Sequence, residues 1–182
     1  PQLIGNQYDY VSLSEVFDRD LRKGIIDTMK VNYPYYIDAV GVNDENFLSG
    51  GVVVFSKWPI LESKEFVYSS CAEIDCLASK GVSYIKISKQ VNGVEQKYNI
   101  FATHMQASNP ILENPNDQVR EKQIRELADF IKAQNIPASE PVIISGDLNV
   151  DKFDGYRQNY TASSPLTEYE YLLSTLNAVD PV

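Results

Sequence analysis

Histidine is all but missing from this chain: His104 is the only one in 182 residues. A mechanism that needs two histidines cannot be built from these residues alone. Cysteine is nearly as scarce, with Cys71 and Cys76 the only pair. Two close thiols and one distant imidazole do not supply a four-ligand zinc site. The spacing permits a small-loop disulfide, favoured if the protein is secreted, although spacing alone leaves the geometry open. Positive charge is also short, with 16 Lys and Arg against 25 Asp and Glu, for a net charge of −9. That balance argues against a duplex nucleic acid partner, whose phosphates demand basic clusters. It leaves open a zwitterionic lipid or a metal-neutralised phosphate. No apolar run approaches the ~20 residues of a membrane helix. Neither a signal peptide nor an initiating Met opens the chain, so we expect it to be part of something longer.

Hydrophobic residues make up 43% of the chain. The length suits one domain with a sizeable core, and no linker or internal repeat divides it, so residues 1–182 read as a single domain. Strands are expected at Tyr10–Leu13, Tyr33–Ile37, Gly51–Ser56, Glu62–Tyr68, Val82–Ile87, Tyr98–Ala102 and Pro141–Ile144. Asn92-Gly93 marks a hairpin turn. Leu21, Ile25, Ile26 and Met29 recur at helical spacing. Asn114-Pro115 reads as the start of a helix whose buried stripe is Ile124, Leu127, Ala128 and Ile131, with Arg120, Lys122 and Glu126 mostly outside. A last helix carries Tyr169, Leu172, Leu173 and Leu176, and Asn177–Val182 reads as the approach to a further strand. Loops are expected over residues 43–50, 71–80 and 151–164. Hairpins mixed with helices predict an α/β sandwich of two mixed sheets with helices outside.

Several strands end in residues capable of chemistry. Pro141–Ile144 delivers Ser145-Gly146-Asp147-Leu148-Asn149, an anionic acceptor and an amide donor two residues apart, expected on the same side. Such a pair suits holding a nucleophile while supporting phosphoryl charge. Tyr10–Leu13 ends in Ser14-Glu15, and Tyr98–Ala102 ends in Thr103-His104. Each has an ordinary alternative: Glu15 a solvated carboxylate, His104 a satisfied core histidine, Asp147-Leu148-Asn149 a turn. Lys80, beside Gly81, could reach a phosphate as a point charge, or be solvated like most loop lysines. Together the four strand-end residues make a candidate site for metal-assisted phosphodiester hydrolysis.

These segments resemble one family. Glu15 in Ser14-Glu15-Val16-Phe17, Gly50-Gly51-Val52, Phe55-Ser56-Lys57-Trp58-Pro59-Ile60, Thr103-His104-Met105-Gln106-Ala107 and Gly146-Asp147-Leu148-Asn149 are similar to the endonuclease/exonuclease/phosphatase superfamily, whose fold is deoxyribonuclease I-like. Ser56–Ile60, Ser79–Ile87 and His104–Ala107 resemble its neutral, Mg2+-dependent bacterial-type sphingomyelinase C branch. The resemblance runs from Tyr8 to about Ala178. It implies Glu15 as a metal ligand, for Mg2+ or for Mn2+ or Co2+ in its place. It implies His104 assisting at the phosphate, Asp147 orienting or activating the nucleophile, and Asn149 contacting the scissile phosphate.

The resemblance further implies a secreted enzyme that hydrolyses sphingomyelin in a membrane surface to ceramide and phosphocholine, with no nucleic acid partner. The family also has an asparagine ligand on a first strand, a C-terminal Asp-His pair acting as base and, in bacterial members, an acidic pair before Gly-Gly-Val. Gln2–Gln7 looks like the end of the helix after that first strand, Leu48-Ser49 stands where the acidic pair would be, and no second histidine exists. We therefore expect a domain incomplete at both ends, inactive as an isolated piece. Two alternatives are another superfamily phosphodiesterase, such as a nuclease or lipid-phosphate phosphatase, and a non-catalytic lipid-binding module. Oligomeric state is not legible.

Overall fold

The computed structural model describes residues 8–42, 48–108, 116–153 and 166–180. Nine strands and three α-helices follow one another along it. They are β1 (Tyr10–Leu13), α1 (Arg19–Met29), β2 (Tyr35–Ile37), β3 (Leu48–Ser49), β4 (Val53–Ser56), β5 (Ile60–Val67), β6 (Ala78–Ser79), β7 (Gly81–Val91), β8 (Val94–His104), α2 (Asp117–Ala133), β9 (Val142–Asp147) and α3 (Glu168–Leu176). A short 3-10 helix, Glu73–Leu77, precedes β6.

Two main sheets form, as expected. One has the order β1-β4-β2 and is antiparallel throughout; the other has the order β5-β7-β8-β9. In the second, β7 and β8 form an antiparallel hairpin, whereas β8 and β9 run parallel because α2 carries the chain between them. The hairpin closes at Asn92-Gly93, both at positive φ, as a tight two-residue turn requires. β3 and β6 make a small parallel pair apart from both sheets.

Side-chain alternation sets the layers. Val52 and Val54 face Ile85, Ile87, Ile100 and Ala102 across the gap between the sheets. Val53 and Phe55, one residue out of phase, pack with Ile26 and Met29 of α1. On the other sheet Val82, Tyr84 and Phe101 pack with Ile124 and Leu127 of α2 and Leu172 of α3. The order is thus helix, sheet, sheet, helices. Central strands covered on both faces read as near-continuous apolar runs rather than clean alternation, as in β4, where every residue is buried.

Several sequence expectations change. Helix α2 begins at Asp117, with Asn116 at its N-cap in the left-handed region and making no side-chain cap bond. Asn114-Pro115 lies outside the described residues, as do Gln2–Gln7, most of the 43–50 loop and most of the 151–164 loop. Arg120 was expected on the outer face but is fully buried. It pairs with Glu168 of α3 at 2.5 Å and donates to the Gln106 carbonyl at 3.2 Å. The reason is helical phase: Arg120, Gln123, Ile124 and Leu127 follow the i, i+3, i+4, i+7 pattern of one face. The expected loop over 71–80 contains the 3-10 helix and β6, and it is closed by a Cys71–Cys76 disulfide. Beyond α3, Asn177 caps the helix in the left-handed region and no strand follows through residue 180.

Candidate active site

The candidate residues meet at one mouth of the gap between the sheets. His104 is the last residue of β8 and Asp147 the last of β9, and the two are partners in the parallel register. By alternation His104 lies in phase with Ile100 and Ala102, and Asp147 in phase with Ile143, all facing the inter-sheet core. Register and phase therefore bring two residues distant in sequence side by side. Gly146 makes the close approach possible. Its φ is +118°, and a Cβ there would stand 2.0 Å from the Thr103 carbonyl oxygen.

Asn149 reaches the mouth by another route than the one anticipated. It lies beyond β9, at φ 53°, so strand periodicity does not align it with Asp147. Instead its backbone N–H donates to Asp147 Oδ1 at 3.0 Å, an Asx-type turn, and its side-chain Nδ2 donates to the Met105 carbonyl at 2.9 Å. The Met105 N–H donates in turn to the Asp147 carbonyl at 2.9 Å. The two strand ends are thus laced together just past the sheet.

Glu15 arrives from the opposite sheet. It follows β1 at φ 63°, a left-handed conformation uncommon for glutamate, and it is exposed. The turn is held from two sides. The Val16 N–H donates to the Gly51 carbonyl at 3.0 Å. Arg22 of α1, buried, donates to the carbonyls of Val16 and Phe17 at 3.2 Å each and to Ser49 Oγ at 3.0 Å. Phe17 brings its ring centroid to 6.0 Å from that of His104.

His104 is 1% exposed, and its Nδ1 has no hydrogen-bond partner among the described residues. Burial pushes the imidazole pKa below its usual value, and the Lys80 ammonium pushes it the same way; Asp147, Glu15 and a hydrogen bond with the Gly50 backbone oppose them. The net direction keeps the ring neutral near pH 7.

Lys80 is not the solvated loop lysine of the ordinary reading. It is buried, its Nζ 2.7 Å from Asp75 Oδ2 and 3.0 Å from the Met105 carbonyl. That carbonyl accepts from Lys80 and Asn149 together. The ammonium is therefore engaged beside the site, and its charge acts on His104.

Sequence reasoning missed the support behind these groups. Gln123 of α2 accepts from the Gln106 N–H at 2.8 Å and donates to the Ser70 carbonyl at 2.7 Å. Gln106 Oε1 accepts from the Ala72 N–H at 2.9 Å, and Asp75 Oδ2 accepts from the Ala107 N–H at 2.9 Å. Two carboxamides and a carboxylate thus bolt the segment after His104 to α2 and to the disulfide loop. The available signal was polar Arg120 and Gln123 occupying positions of the apolar stripe.

Among the described residues no group of three His, Cys, Asp or Glu side chains is arranged to hold a metal. The donor set still fits one hard cation. Mg2+ takes one or two carboxylates and keeps several waters, and Glu15 is an exposed carboxylate on a turn held from two sides.

Comparison with known proteins agrees with this architecture. The profile of the Endonuclease/Exonuclease/phosphatase family matches residues 2–177. A Sphingomyelinase C of Leptospira interrogans is 36% identical over 98% of this chain and 31% of its own length. A Sphingomyelinase C of Bacillus cereus is 34% identical over 98% of this chain and 54% of its own length. Among solved structures, a Staphylococcus aureus beta toxin mutant with bound magnesium ions superposes with a TM-score of 0.83 at 29% identity, covering 99% of this chain and 61% of that one. SmcL superposes with a TM-score of 0.82 at 29% identity, covering 98% and 61%. The chain thus spans about a third to three fifths of the relatives it matches. Its sandwich is the deoxyribonuclease I-like fold of those neighbours. With nearly every residue inside the matched span, the chain belongs to the endonuclease/exonuclease/phosphatase family.

Proposed function

We propose that the protein of which these residues form part is a metal-dependent phosphodiesterase that hydrolyses sphingomyelin to ceramide and phosphocholine by in-line attack of water on phosphorus. The observation that carries the reading is the pairing of His104 with Asp147 at the mouth between the sheets, with Asn149 folded onto the same strand ends. The sphingomyelinase C relatives support the substrate class, and the magnesium-bearing neighbour supports a divalent metal.

Glu15 is the carboxylate that would hold Mg2+, or Mn2+ or Co2+ in its place. Such an ion supplies charge neutralisation at phosphoryl oxygens. Asp147, exposed at the strand end, orients the attacking water. Asn149 has one amide hydrogen committed to Met105 and keeps its remaining donor for a phosphoryl oxygen. His104, held neutral by burial, hydrogen-bonds an equatorial oxygen or assists the departing alkoxide. Lys80, fixed by Asp75, adds positive potential where phosphate charge develops. Positioning and electrostatics carry most of the barrier reduction in this scheme.

A net charge of −9 over these residues disfavours a nuclease. The Cys71–Cys76 disulfide favours an extracellular location. No helix among the described residues is long and apolar enough to cross a membrane.

The test is phosphocholine release from sphingomyelin by the full-length protein, with Mg2+ and with chelator, beside nicking of plasmid DNA. Metal-dependent release without nicking is expected. Nicking without release would replace the lipid substrate by a nucleic acid, and neither activity would leave a non-catalytic module.

A further inference from the structure

We infer that the disulfide loop carries a lipid-facing ridge, Ile74 and Leu77, that seats on a neutral, zwitterionic bilayer beside the catalytic mouth. Ile74 is 76% exposed and Leu77 50% exposed. They stand at i and i+3 of the 3-10 helix Glu73–Leu77. In that helix i and i+3 side chains eclipse, so the two form one edge. Asp75, between them, points the other way and accepts from Lys80 Nζ and the Ala107 N–H. The apolar edge therefore lies on the face of the loop opposite the one docked on the site.

The loop is clamped at both ends. Cys71 is bonded to Cys76, the Ala72 N–H donates to Gln106, and the Ser70 carbonyl accepts from Gln123. Exposed aliphatic side chains on a pre-ordered loop can be buried without a further ordering cost. Charge selects the kind of surface. Lys80 is the only cation between Cys71 and Lys80, and it is buried against Asp75; the chain as a whole carries −9. An anionic bilayer is repelled and a zwitterionic one is not. Two aliphatic side chains fall far short of the roughly 800 Å2 per partner that a stable protein interface buries, which argues against a second copy as the occupant. Ala107, where the loop docks, is three residues past His104, so the loop that carries the ridge adjoins the place a lipid headgroup would enter. That last step rests on the lipid substrate proposed above.

The test uses the full-length protein and the double variant Ile74→Ser/Leu77→Ser, with Val31→Ser as a control at a comparably exposed valine in the turn after α1. Co-sedimentation with phosphatidylcholine–sphingomyelin vesicles in chelator reads binding without turnover. Hydrolysis of vesicle sphingomyelin and of a water-soluble phosphocholine ester reads activity. The double variant is expected to lose at least tenfold in vesicle binding and vesicle hydrolysis, to keep soluble-ester hydrolysis within twofold, and to leave the control unaffected. Anionic lipid should not restore binding. Unchanged vesicle binding, no binding by the parent, or equal loss on both substrates would overturn the ridge. A change in oligomeric state without a change in vesicle binding would assign these side chains to a second copy. Absence of all hydrolysis in the parent would sink the sphingomyelinase reading while the co-sedimentation result still decides the ridge.

Discussion

Lys80 and Asn149 donate to the same acceptor, the Met105 carbonyl, at 3.0 and 2.9 Å. One residue past His104, the backbone thus joins a buried ammonium to the Asn149 carboxamide. The shared carbonyl couples the disulfide loop to the strand ends.

That coupling is measurable because the chain has one histidine. Its ring Cε1–H resonance should titrate below the ordinary histidine value in metal-free protein, since burial and Lys80 both disfavour the imidazolium. Lys80→Met should move the titration upward by removing the second of those causes. A midpoint at or above the ordinary value in the parent would show that the ring is not held as described.

Gly146→Ala should damage both stability and activity. Its Cβ would meet the Thr103 carbonyl oxygen at 2.0 Å, and alanine is strained at φ +118°. A backbone clash of this kind costs about 1–3 kcal/mol or more. Urea unfolding would read the loss, and a neutral result would mean that β9 can slide without disturbing His104.

Arg120 and Glu168 form a buried pair tying α2 to α3. Arg120→Ala should destabilise by about 3–5 kcal/mol, because Glu168 is then left charged and buried. The double replacement Arg120→Met/Glu168→Leu should recover much of that loss in urea unfolding. If the single variant is as stable as the parent, the pair does not hold the helices together.

Glu140 links the start of β9 to its neighbours. Its carboxylate accepts from Asn99 Nδ2 at 3.0 Å and lies 3.3 Å from Lys86 Nζ. The Asn99 hydrogen bond, helped by Lys86, holds its pKa below the ordinary glutamate value. The depressed folded pKa gives stability that is present above the unfolded value of about 4.3 and is lost as pH falls through the folded one. Melting curves from pH 6 to pH 3 should therefore show a steeper decline for the parent than for Glu140→Gln.

In the full-length protein, Glu15→Gln should lower the rate and weaken the response to Mg2+ together, since it keeps the shape and removes the charge proposed to bind the cation. Asp147→Asn should depress turnover, on the order of 10²-fold or more, with little change in the Mg2+ concentration needed. Phosphocholine release across a Mg2+ titration separates the two. Equal shifts in metal requirement would assign both residues to the ion.

The sequence alone determined the elements and the ends that matter. Short apolar, β-branched runs marked the strands, Asn92-Gly93 fixed a hairpin because its turn demands positive φ at both positions, and Glu15, His104 and Asp147 stood visibly at strand ends. These are local properties, set by propensity and spacing. The tertiary structure decided the rest. Only parallel register puts Asp147 beside His104, and only a turn with a left-handed Asn149 folds its amide onto Met105. Arg120 read as a surface residue but is buried by phase, as is Gln123, because α2 and the loops it meets satisfy their hydrogen bonds. Lys80 read as a loop lysine but is buried against Asp75. A polar side chain's burial depends on partners brought together from distant parts of the chain, and one-dimensional spacing does not encode that pairing.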